Sequence, residues 1–202
     1  MDGIPHISHI VYINLDRRTD RRDQMEQELK RMGLAAERFA AIEHSSGIVG
    51  CGMSHLAVLE RAKAAGWDSV LILEDDFQFI VDRATLDRQM TAFFDAGLPY
   101  DVLMLSYHEV KQTPFHEVAS KVLEAQTAAG YVVHRRFYDT LLETWREGLA
   151  KLIETGEHWK YANDQYWKRL QPEAQWFLLI PRIGYQRPGY SDLAKRHVDY
   201  GL

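Results

Sequence analysis

With a single cysteine, Cys51, the chain cannot close an intrachain disulfide, and nothing in it calls for an oxidising compartment. No apolar run approaches the ~20 residues that cross a bilayer, and Met1-Asp2-Gly3-Ile4-Pro5-His6 lacks the basic and apolar regions of a signal peptide. These absences lead us to expect a soluble, cytoplasmic protein. A basic surplus is missing too: 24 Lys and Arg face 29 Asp and Glu, a net charge of −5, which argues against nucleic acid as a partner. Repeats, low-complexity tracts and linker-like stretches are also lacking. The expectation is one domain over residues 1–202, with an irregular tail over about 185–202. What is present, 46% hydrophobic and 26% charged residues, excludes wholesale disorder.

The most informative stretch is Val70-Leu71-Ile72-Leu73-Glu74-Asp75-Asp76-Phe77. Four apolar residues in a row suit a strand buried on both faces of a parallel sheet. The abrupt switch to three carboxylates costs repulsion and desolvation unless a cation or solvent compensates them. Alternation along a strand would send Glu74 and Asp76 one way and Asp75 the other. Hard oxygen ligands at a strand's C-terminal end suit Mg²⁺ or Mn²⁺, and ligands of open α/β sheets bind at that edge. A solvated acidic turn is the plain alternative.

Around this centre, apolar strands alternate with amphipathic helices. His9–Leu15 reads as the first strand, and Leu71 and Leu73 are expected beside its Val11 and Ile13. The polar corner after it is rich in arginine (Arg17, Arg18, Arg21, Arg22), and arginines can grip a diphosphate in bidentate fashion. Thr19 is the expected N-cap of the next helix, Met25, Leu29 and Met32 its inner face, and Gly33 its stop. Glu37–Ile42 reads as a second strand. Ser45–Gly52 reads as a glycine loop, with Ser54 and His55 just inside the helix that follows and Leu56, Leu59 and Ala62 on its inner face. A helix N-terminus after such a loop can hold an anion. Cys51 reads as a small packed residue, since no base accompanies it in sequence. For His55, capping, packing and ligand contact all stay open. Asp82 is the expected cap of a helix carrying Leu86, Met90 and Phe93. Strands are expected at Tyr100–Ser106, after Gly130, and last at Trp176–Pro181, with 107–119 as a loop. Trp159, Tyr161, Tyr166 and Trp167 surround Asp164, and such aromatics either stack on sugars or build core.

Three blocks carry a resemblance: Ile13-Asn14-Leu15-Asp16-Arg17-Arg18 with Asp20-Arg21, Gly50-Cys51-Gly52-Met53-Ser54-His55, and Ile72-Leu73-Glu74-Asp75-Asp76. In this order and spacing they resemble glycosyltransferase family 25, which holds lipooligosaccharide (lipopolysaccharide) and collagen hydroxylysine galactosyltransferases. Asp101-Val102-Leu103, Ala129-Gly130-Tyr131, Asp164, Gln186 and Ser191-Asp192 extend it more weakly. The resemblance implies a GT-A-like, nucleotide-binding α/β sandwich with a mostly parallel central sheet. It implies metal-dependent, inverting transfer of a hexose, galactose in the first place, from a UDP-sugar to a hydroxyl on a glycan or on a glycosylated or hydroxylated protein.

Asn14, Leu15, Asp16, Arg17, Arg21, Ser54, His55 and Asp75 would then contact the donor. Asp76, with Glu74 or Asp75 and a late His197, would hold Mn²⁺ or Mg²⁺. Candidates for the base are Asp164, Asp192 and Glu109, with an N-cap as the alternative role for Asp164. The short, irregular tail after the last strand departs from the family pattern, and acceptor recognition is expected to be reduced or supplied by a partner. A metal-dependent phosphoester hydrolase and a catalytically silent sugar-nucleotide-binding protein remain the rivals.

Overall fold

The protein is described here by a computed structural model covering residues 3–7, 9–191 and 195–199. In chain order the elements are β1 (Ile10–Asn14), α1 (Thr19–Arg31), β2 (Glu37–Ala40), α2 (Gly47–Ala64), β3 (Ser69–Glu74), β4 (Phe77–Phe79) and α3 (Arg83–Asp95). There follow β5 (Val102–Met104), β6 (His108–His116), β7 (Ala119–Gln126), β8 (Gly130–His134), α4 (Tyr138–Thr155), α5 (His158–Tyr161) and α6 (Asn163–Tyr166). The chain closes with β9 (Trp176–Leu179), β10 (Gly184–Gln186), β11 (Gly189–Ser191) and β12 (Arg196–Val198). Among the described residues no helix is long and apolar enough to cross a membrane.

Eight strands form one sheet in the order β2-β1-β3-β8-β5-β9-β7-β6. All but β7 and β8 point the same way, which bears out the mostly parallel sheet. No local signal marks β8 as a strand that inserts antiparallel between β3 and β5. Its insertion brings the small residues Ala128-Ala129-Gly130 to the carboxyl end of β3, where Leu73 pairs with Gly130.

Alternation along the strands divides the core in two. Ile10, Tyr12, Leu71, Leu73, Leu103, Val132 and Phe177 face α1 and α3, through Met25, Leu29, Leu86, Met90 and Phe93. Val11, Ile13, Val70, Ile72, Val102, Tyr131 and Trp176 face α2 and α4, through Val58, Leu59, Leu141, Leu142 and Trp145. Leu71 and Leu73 are therefore fully buried as expected, but they lie on the face of Ile10 and Tyr12. Val11 and Ile13 share theirs with Val70 and Ile72, because β1 and β3 pair with Ile10 opposite Leu71. The slip of one residue changes the face.

Five local expectations are corrected. Thr19 is the first helical residue and Arg18 holds the cap position, with no side-chain cap bond. Gly50 and Gly52 lie inside α2: a Cβ on Gly50 would stand 2.5 Å from the Ile42 carbonyl oxygen, so glycine there lets the helix approach the strand's exit. On α2 Leu56 is only half-buried, and the inner face runs through His55, Val58, Leu59 and Ala62. Residues 108–126 form a long antiparallel hairpin at the sheet edge, with register shifts and with Pro114 opposite Ser120. Its exposed polar side chains hid the alternation, and an edge strand tolerates proline. The tail is also more ordered than expected, since β10 pairs with β4 and β11 with β12. Asp82 does cap α3, accepting from the Thr85 amide at 2.8 Å.

Candidate functional site

A cleft of about 400 Å³ opens where β1, α1, α2 and β3 converge, at the carboxyl edge of the parallel strands. Asn14, Leu15, Arg17, Arg21, Ser54, His55, Glu74, Asp75 and Asp76 all line it, as do Arg18, Cys51, Gln186, Tyr190 and Lys195. A cleft of this size suits a small ligand.

β1 delivers Asn14, which is 1% exposed and holds several groups at once. Its Nδ2 donates to Asp75 Oδ2 (2.7 Å) and to the Arg18 carbonyl (3.1 Å), while Arg38 Nε donates to its Oδ1 (3.0 Å). The first turns of α1 deliver Arg21, whose Nη1 donates to Asp75 Oδ1 (2.9 Å) and Asp76 Oδ2 (3.1 Å). Its Nη2 donates to the Tyr190 carbonyl on β11 (2.8 Å). β3 ends at Glu74, so the expected strand alternation stops there: Asp75 and Asp76 share Arg21, and Glu74 turns toward α2. Gln186 Nε2 adds a donor to Asp76 Oδ2 at 3.1 Å.

The electrostatics follow from burial. Asp76 is pushed up to about 7 by burial and by the neighbouring Glu74 and Asp75 charges, against the pull of Arg21. Burial also raises Asp75, with Arg21 and Asn14 opposing it. Burial opposes the Arg21 charge as well, but Asp76 and Asp75 more than offset it and raise its pKa. Asp76 Oδ1 is buried and has no hydrogen-bond partner among the described residues.

On the other side of Glu74 stand Cys51 and His55, one turn apart on α2. His55 is fully buried; its Nε2 is 3.0 Å from Glu74 Oε1 and its Nδ1 2.7 Å from the Tyr131 hydroxyl. Cys51 Sγ lies 3.6 Å from the same Glu74 oxygen. Burial and the Glu74 charge raise the Cys51 thiol well above its ordinary range. Burial works against Glu74 ionising, yet the His55 contact holds its pKa below the usual value. The reading of Cys51 as unaccompanied is thus corrected, since its partners come from one helical turn away and from β3. The Cys51/His55 spacing of four was the sequence signal available. Ser54 is buried between backbone groups, accepting from the Ile42 amide (2.9 Å) and donating to the Gly50 carbonyl (2.7 Å).

The other expected residues are placed elsewhere. Asp16 does not line the cleft and pairs with Arg38 (2.6 Å). Asp164 lies in the first turn of α6 with no cap bond to that helix, and its Oδ2 accepts from the Thr127 amide at 3.3 Å. Burial and the nearby Glu74 charge raise its pKa. Trp167 is fully buried and Trp159 is exposed, so the surrounding aromatics divide between core and surface. His197 sits on β12 opposite Tyr190, with ring centroids 6.0 Å apart, and does not line the cleft. Glu109 falls on β6, but its side chain lies outside the described residues, as does Asp192.

No family model matches the chain. Among curated proteins, a glycosyltransferase 25 family member from Anopheles gambiae is 31% identical over 101 residues, covering 36% of this chain and 17% of that protein. Inactive glycosyltransferase 25 family member 3 of Mus musculus is 30% identical over 133 residues, covering 60% and 22%. Its human namesake is 28% identical over 170 residues, covering 70% and 28%. The chain thus spans between 17% and 28% of the length of these relatives. Among solved structures, A197 from STIV superposes with a TM-score of 0.53 at 12% identity, over 95% of this chain and 93% of that one. A glycosyltransferase involved in glycosylation of the major capsid of PBCV-1 gives 0.54 at 10% identity, over 88% and 92%. These likenesses are of fold, and the fold is a GT-A-like α/β sandwich.

Proposed function

We propose that the chain, acting as a single cytoplasmic domain, transfers a hexose from a UDP-sugar to a hydroxyl of a glycan or of a glycosylated or hydroxylated protein. Galactose is the first sugar to test. One observation carries the reading: Asp76 Oδ1 is a buried carboxylate oxygen without a partner among the described residues, on the wall of the cleft beside Asp75. Such an atom is costly to leave unpaired, and a hard divalent cation such as Mn²⁺ or Mg²⁺ satisfies it. Asp76 with Asp75 would hold the ion, since Glu74 turns toward α2 and His197 does not line the cleft. A cation there offsets the negative charge that grows on a departing UDP.

The chain's own groups supply the rest. Arg17 and Arg21 would grip diphosphate oxygens as charged, bidentate donors. Asn14 and Leu15 would place the nucleotide at the end of β1, with Ser54 and His55 beneath it. Asp164, a carboxylate whose pKa is raised by burial and the Glu74 charge, would take the proton from the acceptor hydroxyl, and Asp192 is the next candidate. Displacement would be direct, inverting the anomeric centre.

A catalytically silent sugar-nucleotide-binding protein is the second reading. Two observations favour it: Arg21 already bridges Asp75 and Asp76, and two of the relatives carry the name inactive. Incubation with UDP-galactose and Mn²⁺ separates the two. Release of UDP or transfer of sugar by the wild type, lost with chelator and in Asp76→Asn, supports the enzyme. UDP binding without turnover supports the silent protein. Neither binding nor turnover overturns both.

A further inference from the structure

We propose that Cys51, His55 and Glu74 form a second cation site in the cleft, built for a borderline transition-metal ion such as Zn²⁺ and separate from the all-oxygen pair Asp75–Asp76. The inference stands on these three residues and does not require sugar transfer.

The three donor atoms already lie within 4.8 Å of one another. A tetrahedral Zn²⁺ with bonds of about 2.0–2.3 Å places its ligand atoms roughly 3.3–3.8 Å apart. The His55–Glu74 and Cys51–Glu74 separations of 3.0 and 3.6 Å are close to that range, and the widest pair has only about 1 Å to close.

The donors sit on rigid elements. Cys51 and His55 are four residues apart on α2 and so share one helix face. Glu74 ends β3, which is held by β1 on one side and β8 on the other. The turn carrying Cys51 is fixed in depth by Gly50, whose missing Cβ lets α2 rest against the Ile42 carbonyl.

The support around the donors fits as well. A histidine that binds metal through Nε2 needs a partner at Nδ1 to set its tautomer. The Tyr131 hydroxyl stands there at 2.7 Å, and a hydroxyl can donate or accept, so it serves the ring with or without the ion. All three donor residues line the cleft, which leaves a fourth position open to water or a ligand, the arrangement of three-ligand zinc sites.

The donor chemistry distinguishes the two sites. Thiolate, imidazole and carboxylate together select Zn²⁺ or Co²⁺, whereas carboxylates alone suit Mg²⁺ and Mn²⁺. On binding, the Cys51 thiol gives up its proton to solvent and sulfur becomes a ligand.

The test uses the full chain, freed of metal and titrated with Co²⁺ alone. The expected result is a near-ultraviolet thiolate-to-cobalt charge-transfer band that saturates at one equivalent and is abolished by Zn²⁺. Because Cys51 is the only cysteine, any such band reports on it. Asp76→Asn should retain the band. His55→Gln and Glu74→Gln should each weaken Co²⁺ affinity at least tenfold, and Tyr131→Phe about tenfold. Zn²⁺ should also shield Cys51 in the wild type from a thiol reagent, a readout that needs no variant. A folded wild type that gives no thiolate band, or whose Cys51 reacts equally fast with and without Zn²⁺, overturns the site. So does unchanged Co²⁺ affinity in both His55→Gln and Glu74→Gln. UDP release from UDP-galactose with Mn²⁺, measured separately on the wild type, reports on the transferase reading, so the two can fail independently.

Discussion

The Arg21 guanidinium reaches Asp76 at 3.1 Å and, through the same nitrogen, Asp75 at 2.9 Å. The three side chains are only 10–15% exposed. Removing one partner of a buried ion pair leaves an uncompensated charge, which costs about 3 kcal/mol or more. Arg21→Gln should therefore lower unfolding stability in metal-free buffer by roughly that amount. A loss below about 0.5 kcal/mol in urea denaturation would show that solvent, and not Arg21, neutralises the pair.

Gly130 and Gly184 both pack against the Cε2–Cζ side of one ring, that of Phe77. An added Cβ would stand 2.4 Å from Phe77 Cε2 in the first case and 2.2 Å from Phe77 Cζ in the second, and Phe77 is fully buried. Gly130→Ala should cost about 1–3 kcal/mol through overpacking. Adding Phe77→Leu should recover part of that loss, so the double variant should unfold later than the sum of the two singles implies. Strict additivity would mean that the two residues do not meet.

Asp82 caps α3 through the Thr85 amide, and this bond holds its carboxyl below the usual range. A depressed folded-state pKa contributes stability above the unfolded pKa, and that contribution is lost as pH falls through the folded value. Asp82→Ala should therefore lower Tm at pH 7 by about 2–4 °C, and the gap should close on acidification to below the folded pKa. A gap that stays constant with pH would assign the effect to something other than the ionised cap.

On the transferase reading, Asp164→Asn should leave folding and UDP·Mn²⁺ binding nearly unchanged while transfer falls ~10²–10⁴-fold. Asparagine retains an oxygen for the Thr127 amide, so a structural role alone would spare turnover. Near wild-type transfer by this variant moves the base assignment to Asp192.

Much of the centre was legible because its signals are local. The apolar run of β3 and its acidic end, the arginines after β1 and the Asp82 cap are each contained within a few residues. What stayed hidden depends on partners brought from afar. The Cys51 cluster needs Glu74, 23 residues away, and Gln186 meets Asp76 across 110 residues. Gly50 and Gly52 read as a loop because helical glycine is costly, and at Gly50 the close approach of the Ile42 carbonyl explains why the cost is accepted. The β6–β7 hairpin escaped notice because an exposed ribbon at a sheet edge carries no clean apolar alternation.

The pairing of β10 with β4, which sets Gln186 opposite Phe77 and lets the Arg187 amide donate to the Asp76 carbonyl, bears on the order of folding. The β1–β3 strands and the helices α1 and α2 belong to the first 74 residues and can assemble through comparatively local contacts. Gln186 and Tyr190 can close the cleft only when contacts spanning 110 and 169 residues form, and loops of that length carry the largest closure entropy. During refolding, helical signal should return before nucleotide affinity does, and a nascent chain paused before residue 184 would own most of its sheet while still lacking the wall of its cleft that Gln186 and Tyr190 supply.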